Sequence, residues 1–169
     1  VTDDLRSVMR QFATGVCIAT TCRYTRAGAR RHNAITVNSL ASLSLTPPLV
    51  SLSFRADSEF LADALASRVF AVSILGADAE ETARTFAGRR PERDRALRAA
   101  ATRPGEHTGA LLFAGAGWME CRYYDRYAVG DHVQVIGEAV ALGAAGSEHT
   151  PLIFLGGGFH RLDTESAAS

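Results

Sequence analysis

Thr36-Val37-Asn38-Ser39-Leu40-Ala41-Ser42-Leu43-Ser44-Leu45-Thr46-Pro47-Pro48-Leu49-Val50 sets hydroxyl and amide side chains at close intervals, then enters an apolar strand through two prolines. A hydrophobic core has no use for Ser-x-Ser, whereas Ser, Thr and Asn supply both donors and acceptors. The natural occupant of such a segment is a polar ligand carrying phosphate or carbonyl oxygens. Taken by itself the segment also reads as a Ser/Thr-rich loop leading into a strand, since such clusters commonly mark loops.

Working outward, Leu49-Val50-Ser51-Leu52-Ser53-Phe54 alternates apolar and small polar residues, the pattern of a strand with one buried face. The period then changes: Ser58 is placed to cap a helix whose buried stripe is Phe60, Leu61, Ala64 and Leu65. Val69 to Leu75 returns to strand, and Asp78 opens a further helix to Ala87. Upstream, Leu5, Val8, Met9 and Phe12 fall at helical spacing behind Thr2 or Asp3 as cap. Val16 to Thr21 and Ala34 to Val37 form a hairpin around the polar stretch Arg23 to Gly28. Downstream, Trp118–Tyr124 and His132–Leu142 read as longer strands, and Leu152–Leu155 as a last one before Gly156-Gly157-Gly158. Periodicity thus gives a mainly β chain with flanking helices. With six or more strands, a closed antiparallel sheet is expected, because closure removes exposed edges.

At 169 residues the chain is most simply one domain, spanning 1–169, large enough to bury about two thirds of its unfolded surface. A hydrophobic fraction of 47% with 21% charged residues, and no long apolar run, give the expectation of a soluble protein without membrane contact. Nothing at Val1-Thr2-Asp3-Asp4 resembles a secretory leader, so the cytoplasm is the expected compartment. Three cysteines, Cys17, Cys22 and Cys121, with no Cys-x-x-Cys pair argue against a disulfide framework and a thiolate metal site. All eighteen basic residues are arginine. Schiff-base and P-loop lysine chemistry are therefore excluded, while phosphate recognition through the planar guanidinium fork is not.

The one strongly charged stretch, Arg89-Arg90-Pro91-Glu92-Arg93-Asp94-Arg95, invites a nucleic-acid reading. Glu92 and Asp94 interrupt it, aromatic interleaving is missing and net charge is zero, so a solvated helix or loop is expected, with no nucleic-acid partner. Other lookalikes fail as well. Gly115-Ala116-Gly117 lacks the third glycine of a dinucleotide fingerprint, and no Gly-x-Ser-x-Gly or His-Glu-x-x-His occurs. His32, His107 and His149 have no neighbouring ligand pattern, and no metal is expected.

Three ordered blocks carry a family resemblance: Phe12-Ala13-Thr14-Gly15-Val16; Thr36-Val37-Asn38-Ser39 through Pro47-Pro48-Leu49-Val50; and Gly130-Asp131-His132 with Gly137-Glu138-Ala139-Val140. Together with Pro151-Leu152 they cover nearly the whole chain, which resembles the short-chain flavin reductases. The resemblance implies a Greek-key split β-barrel pairing as a homodimer. It also implies an NAD(P)H:flavin oxidoreductase that supplies reduced FMN or FAD to a flavin-dependent monooxygenase, with NADH or NADPH as reductant.

The resemblance makes the Thr36–Ser44 segment the flavin cradle. Thr36, Asn38 and Ser39 would then meet the ring, and Ser42, Leu43 and Ser44 would continue toward ribityl and phosphate. Arg55 and Ser58, which follow the cofactor-site candidate Phe54 between a strand and a helix N-terminus, suit the phosphate; simple capping by Ser58 is the structural alternative. His132 is the expected contact to the nicotinamide, acting by position and hydrogen bonding because hydride passes between the two cofactors directly. Phe159, after the glycines, is expected to fold over a ring. The chain departs from the family pattern at Ala34, Leu40, Thr46 and Gly156-Gly157-Gly158. That glycine-rich end motivates an alternative: a split-barrel flavoprotein that retains its flavin for its own organic substrate, or a flavin-binding module.

Overall fold

The computed structural model describes residues 4–146 and 149–162. Strands in chain order are β1 (Thr14–Gly15), β2 (Cys17–Tyr24), β3 (Arg30–Val37), β4 (Ala41–Leu45), β5 (Pro48–Arg55), β6 (Val69–Ile74), β7 (Thr102–Pro104), β8 (Leu111–Phe113), β9 (Gly117–Val129), β10 (His132–Ala144), β11 (Leu152–Leu155) and β12 (Gly158–Arg161). The helices are α1 (Leu5–Met9), α2 (Glu59–Ser67), α3 (Glu80–Phe86) and α4 (Arg90–Ala99). Among the described residues no helix is long and apolar enough to cross a membrane.

Seven strands form one antiparallel sheet in the order β3-β2-β6-β9-β10-β5-β4, flanked by a β1-β11-β12 sheet and a β7-β8 pair. Alternate side chains of β2, β3, β5, β6, β9 and β10 meet in one core: Cys17, Ala19, Val37, Leu52, Phe54, Phe70, Val72, Cys121 and Val135. Phe60, Leu61 and Ala64 of α2 join the same core. Interior side chains converging from a single sheet require it to roll up.

The barrel is split, as the resemblance implies, and not fully closed as the strand number alone suggests, because β3 and β4 are not hydrogen-bonded to each other among the described residues. The three-residue connection Asn38–Leu40 joins these edges. Beside the seam, the Ser39 hydroxyl donates to the Ser53 carbonyl of β5 (3.2 Å) and accepts from its N–H (3.0 Å), prolonging the β4–β5 pairing past Ala41. One side chain thus does locally what a strand ladder does elsewhere.

β2 is buried on both faces, with Ile18, and Val16 just before the strand, facing a second core containing Leu75, Ala83, Phe86, Leu97 and Phe113. This second layer packs α3 and α4 outside the barrel, against β3 at Ala34. Gly137 lies at a register shift of β10, where an added Cβ would collide with the Phe70 ring. Glycine there lets the ring fill the barrel interior.

Helix α2 starts as expected, with the Ser58 hydroxyl accepting from the Leu61 N–H at 3.4 Å. The expected Asp78 cap does not form; Ala79 is the cap residue and offers no side-chain bond. Thr2 and Asp3 lie outside the described residues, and Asp4 caps α1 by accepting from the Ser7 N–H at 2.8 Å. The apolar stripe of α1 stays exposed.

Candidate functional site

A cavity of about 820 Å³ opens beside the barrel seam, between the end of β3, the β5–α2 junction, the start of α4 and the start of β10. It brings together Thr36, Asn38, Ser39, Phe54, Arg55, Ser58 and His132, seven residues singled out from sequence. Four guanidiniums, Arg55, Arg89, Arg90 and Arg93, face it against two carboxylates, Asp57 and Glu59. Its volume falls in the range of small-molecule and cofactor sites, roughly 300–1,000 Å³.

The α4 arginines are the residues that sequence reasoning missed. Arg93 is 8% exposed and, among the described residues, makes no ion pair; its buried Nε has no hydrogen-bond partner. Burial first, and Arg90 second, pull its pKa below the usual guanidinium value, against the opposing pull of Asp94 and Glu59. It nevertheless stays charged at neutral pH, as arginines in proteins do. Arg90 is fixed by carboxylates on three sides: Asp94 at 2.8 Å, Asp63 at 3.2 Å and Glu59 at 3.4 Å. Its buried Nη2 is nonetheless without a partner among the described residues. Asp63 is itself 7% exposed, accepts from the Asn33 amide at 3.0 Å and pairs with Arg23 at 3.1 Å. This cluster ties α4 to α2, β2 and β3, so the cationic wall is rigid. Buried donors without acceptors are costly unless a ligand satisfies them, and the guanidinium fork matches a phosphate.

At the opposite rim, Gly130-Asp131 forms the two-residue turn between β9 and β10, where Val129 pairs with His132. Gly130 has φ +60° and Asp131 is not in the left-handed region, as a type II′ turn requires. The Asp131 carboxylate lies 2.8 Å from His132 Nδ1, and this contact holds the Asp131 pKa below the usual carboxylate range. A carboxylate beside Nδ1 favours the tautomer with hydrogen there, leaving Nε2 as the ring's remaining polar atom. His132 pairs in register with Arg55, whose guanidinium is held by Asp57 at 2.9 Å.

Several expected ligand groups already have internal partners. The Thr36 hydroxyl donates to the Ala83 carbonyl at 2.7 Å, and Asn38 donates to the Thr14 hydroxyl at 3.2 Å. Ser39 spends its one donor on the seam and keeps a single free lone pair. Phe54 is buried against Phe60, with ring centroids 5.0 Å apart.

Ser42, Leu43 and Ser44 lie on the edge strand β4, outside the residues that line the cavity, and Ser44 accepts from the Thr46 N–H at 3.2 Å. Phe159 lines a separate apolar recess of about 170 Å³, on the other side of Thr36, Val37 and Asn38. Its ring is held edge-on by Phe154 at 5.4 Å and covered by Arg84 at 4.9 Å. Gly156 and Gly157, with φ +65° and +90°, make a tight turn there in place of a loose tail.

The cysteines are free thiols buried in the fold, and burial pushes Cys17 and Cys121 up to about 12. Such thiols are unreactive at neutral pH.

Comparison with known proteins identifies the family of the chain. The family described as "Flavin reductase like domain" matches residues 9–163. An NADH-dependent FAD reductase of Streptomyces globisporus is 35% identical over 159 residues, covering 93% of this chain and 84% of that protein. The reductase component of a flavin-dependent trigonelline monooxygenase from Acinetobacter baylyi is 29% identical, and the match covers 94% of this chain but 46% of that longer protein. Among solved structures, the flavin reductase component of a bacterial two-component tryptophan halogenase superposes with TM-score 0.83 at 32% identity, covering 94% of this chain and 96% of that one.

Proposed function

The chain belongs to the flavin reductase like domain family, and from that premise we propose that it is an NADH-dependent flavin reductase supplying reduced flavin to a partner monooxygenase. Residues 1–169 act as one flavin reductase-like domain. The observation that carries the reading is the buried, unpartnered Arg93, beside Arg90, in a cavity whose far rim holds His132.

The donor set fits a flavin phosphate. Arg93 and Arg90 would grip it, with Arg55 and the N-terminus of α2 at Ser58 as further donors. The isoalloxazine ring would lie toward Asn38, Ser39 and the free lone pair of the seam, above the wall formed by Phe54. Ser42, Leu43 and Ser44 on the exposed edge of β4 would offer further contacts beyond the cavity, and Phe159 stands behind the Thr36 wall.

When both are bound, NADH supplies a hydride and flavin accepts it. The chain then needs no nucleophile and no proton relay: it must bind, orient and exclude water. His132, held by Asp131, positions the nicotinamide through Nε2. The arginine wall neutralises phosphate charge so that two anionic substrates can share one cleft.

We further read the functional unit as a cytoplasmic homodimer. Leu5, Val8, Met9 and Phe12 on and after α1 are 77%, 57%, 50% and 63% exposed, and Leu45 on β4 is 87% exposed. Large apolar side chains left this exposed on two elements favour a second copy as cover.

Steady-state NADH oxidation with catalytic protein and excess FMN or FAD, against a flavin-free control, tests the function. Many turnovers that depend on added flavin are expected, and their ratio identifies the preferred flavin. Absence of turnover from folded protein would refute the reductase reading.

A further inference from the structure

A second cationic cavity, of about 330 Å³, lies farther along the same helix, between β3 and α4. Arg30 and Arg31 of β3 and Arg98 of α4 line it with His32, over the apolar Leu97 and Leu111. None of the three arginines makes an ion pair among the described residues. The lone acid in the lining, Asp94, is committed to Arg90 at 2.8 Å. Arg30 is oriented by the Tyr24 hydroxyl, to which its Nε donates at 3.1 Å. His32 has a buried Nδ1 without a hydrogen-bond partner among the described residues, and burial, then Arg30, hold its pKa below the usual imidazole range.

Three guanidiniums lining one small cavity, none of them in an ion pair among the described residues of a protein of zero net charge, make a local positive field that favours an anion. The apolar floor adds a surface for a flat body attached to it. We propose that this cavity is a second anion site, taking the phosphate of a nucleotide-sized ligand with its base against Leu97 and Leu111. Arg93 and Arg98 are five residues apart on α4, about 8 Å along the axis at 1.5 Å per residue. The occupant is therefore either the adenosine end of a dinucleotide extending from the main cleft or a separate mononucleotide. The site does not depend on the reductase reading, since a chain that reduced no flavin would still bind here.

Calorimetric titration of the full chain with AMP tests it, in an Arg93→Met background that weakens the main cleft. AMP binding should survive Arg93→Met and weaken about tenfold or more when Arg31→Gln and Arg98→Gln are added, as expected for lost charge-assisted hydrogen bonds. Both side chains are exposed, so the variants should melt like their parent; Arg98→Gln alone serves if the pair does not. A raised KM for NADH with unchanged KM for flavin in Arg31→Gln/Arg98→Gln would identify the dinucleotide as occupant, and unchanged values for both would identify a separate nucleotide. AMP binding insensitive to the glutamines, lost with Arg93→Met alone, or absent altogether would overturn the proposal.

Discussion

Replacing Arg93 by methionine should weaken flavin binding while leaving the fold as stable as before or more so. The side chain is 8% exposed and, among the described residues, without an ion pair, so in the free protein it is a desolvated charge offset only by the pull of Asp94 and Glu59 beyond contact distance. Methionine keeps most of the stem packing and removes the charge. Exchanging buried ionic groups for apolar ones of similar volume is often neutral or stabilising by about 1–4 kcal/mol. In a chain of this size each 1 kcal/mol moves Tm by about 2–4 °C.

On the ligand side, a hydrogen bond to a charged group contributes about 1.5–3 kcal/mol. At 1.4 kcal/mol per decade, loss of one such contact weakens flavin binding by roughly 10- to 150-fold. Titration by flavin fluorescence and a thermal melt on the same preparation read both quantities. Arg93→Lys should fall between wild type and methionine, because ammonium keeps the charge and loses the fork. A variant that melts several degrees lower and binds flavin normally would refute the reasoning and make Arg93 a structural residue.

Ser39→Ala should cost about 1–3 kcal/mol in denaturant unfolding, because the Ser53 N–H at the seam loses its acceptor, with flavin affinity changed far less. Glu120 is 1% exposed; burial pushes its pKa up, but hydrogen bonds from Thr108 and His107 outweigh this and hold it below the reference 4.5. A carboxyl depressed in the fold stabilises above its unfolded pKa, so this contribution should vanish as pH falls from 4.5 through the folded value, and Glu120→Gln should flatten that part of the stability–pH curve. His132→Ala should raise KM for NADH more than it weakens flavin binding, in steady-state and fluorescence measurements; equal loss of both removes His132 from its assigned role. Light scattering should give twice the chain mass, and Leu5→Asp with Phe12→Asp should halve it; a monomeric wild type would end the dimer proposal.

The parts of the fold legible in the sequence are those where burial follows period. Helix α2 announces itself through the Ser58 cap and the 60/61/64 stripe, and the β9–β10 turn through Gly130-Asp131. Strand β4 was hidden because neither face is buried: Leu43 and Leu45 stand exposed between serines, and only pairing with β5 makes the segment a strand. A loop reading of Thr36–Ser44 therefore gave the right polar edge at Asn38 and Ser39 but not the hairpin beyond it.

The arginines of α4 misled in the opposite sense. Charge in sequence signals solvent, yet Arg90 is held inside by Asp63, a carboxylate from α2 that no local pattern connects to it. Alternation of arginine with Glu92 and Asp94 argued against nucleic acid and equally concealed that one face, Arg90 and Arg93, turns into the cleft. The spacing of three residues between them was the available signal, since it puts both on one side of a helix. Three glycines before Phe159 read as slack in the sequence, whereas Gly156 and Gly157 build a turn that sets the ring against Phe154.

The most direct test of the account is anaerobic: a trace of the protein with excess NADH on one side of a dialysis membrane that retains it, and free flavin, in large excess over protein, throughout. Bleaching of the flavin on the protein-free side to completion is the expected result, because a reductase that supplies a partner must release what it reduces. Bleaching that stops at one flavin per chain, or stays confined to the protein compartment, would contradict it.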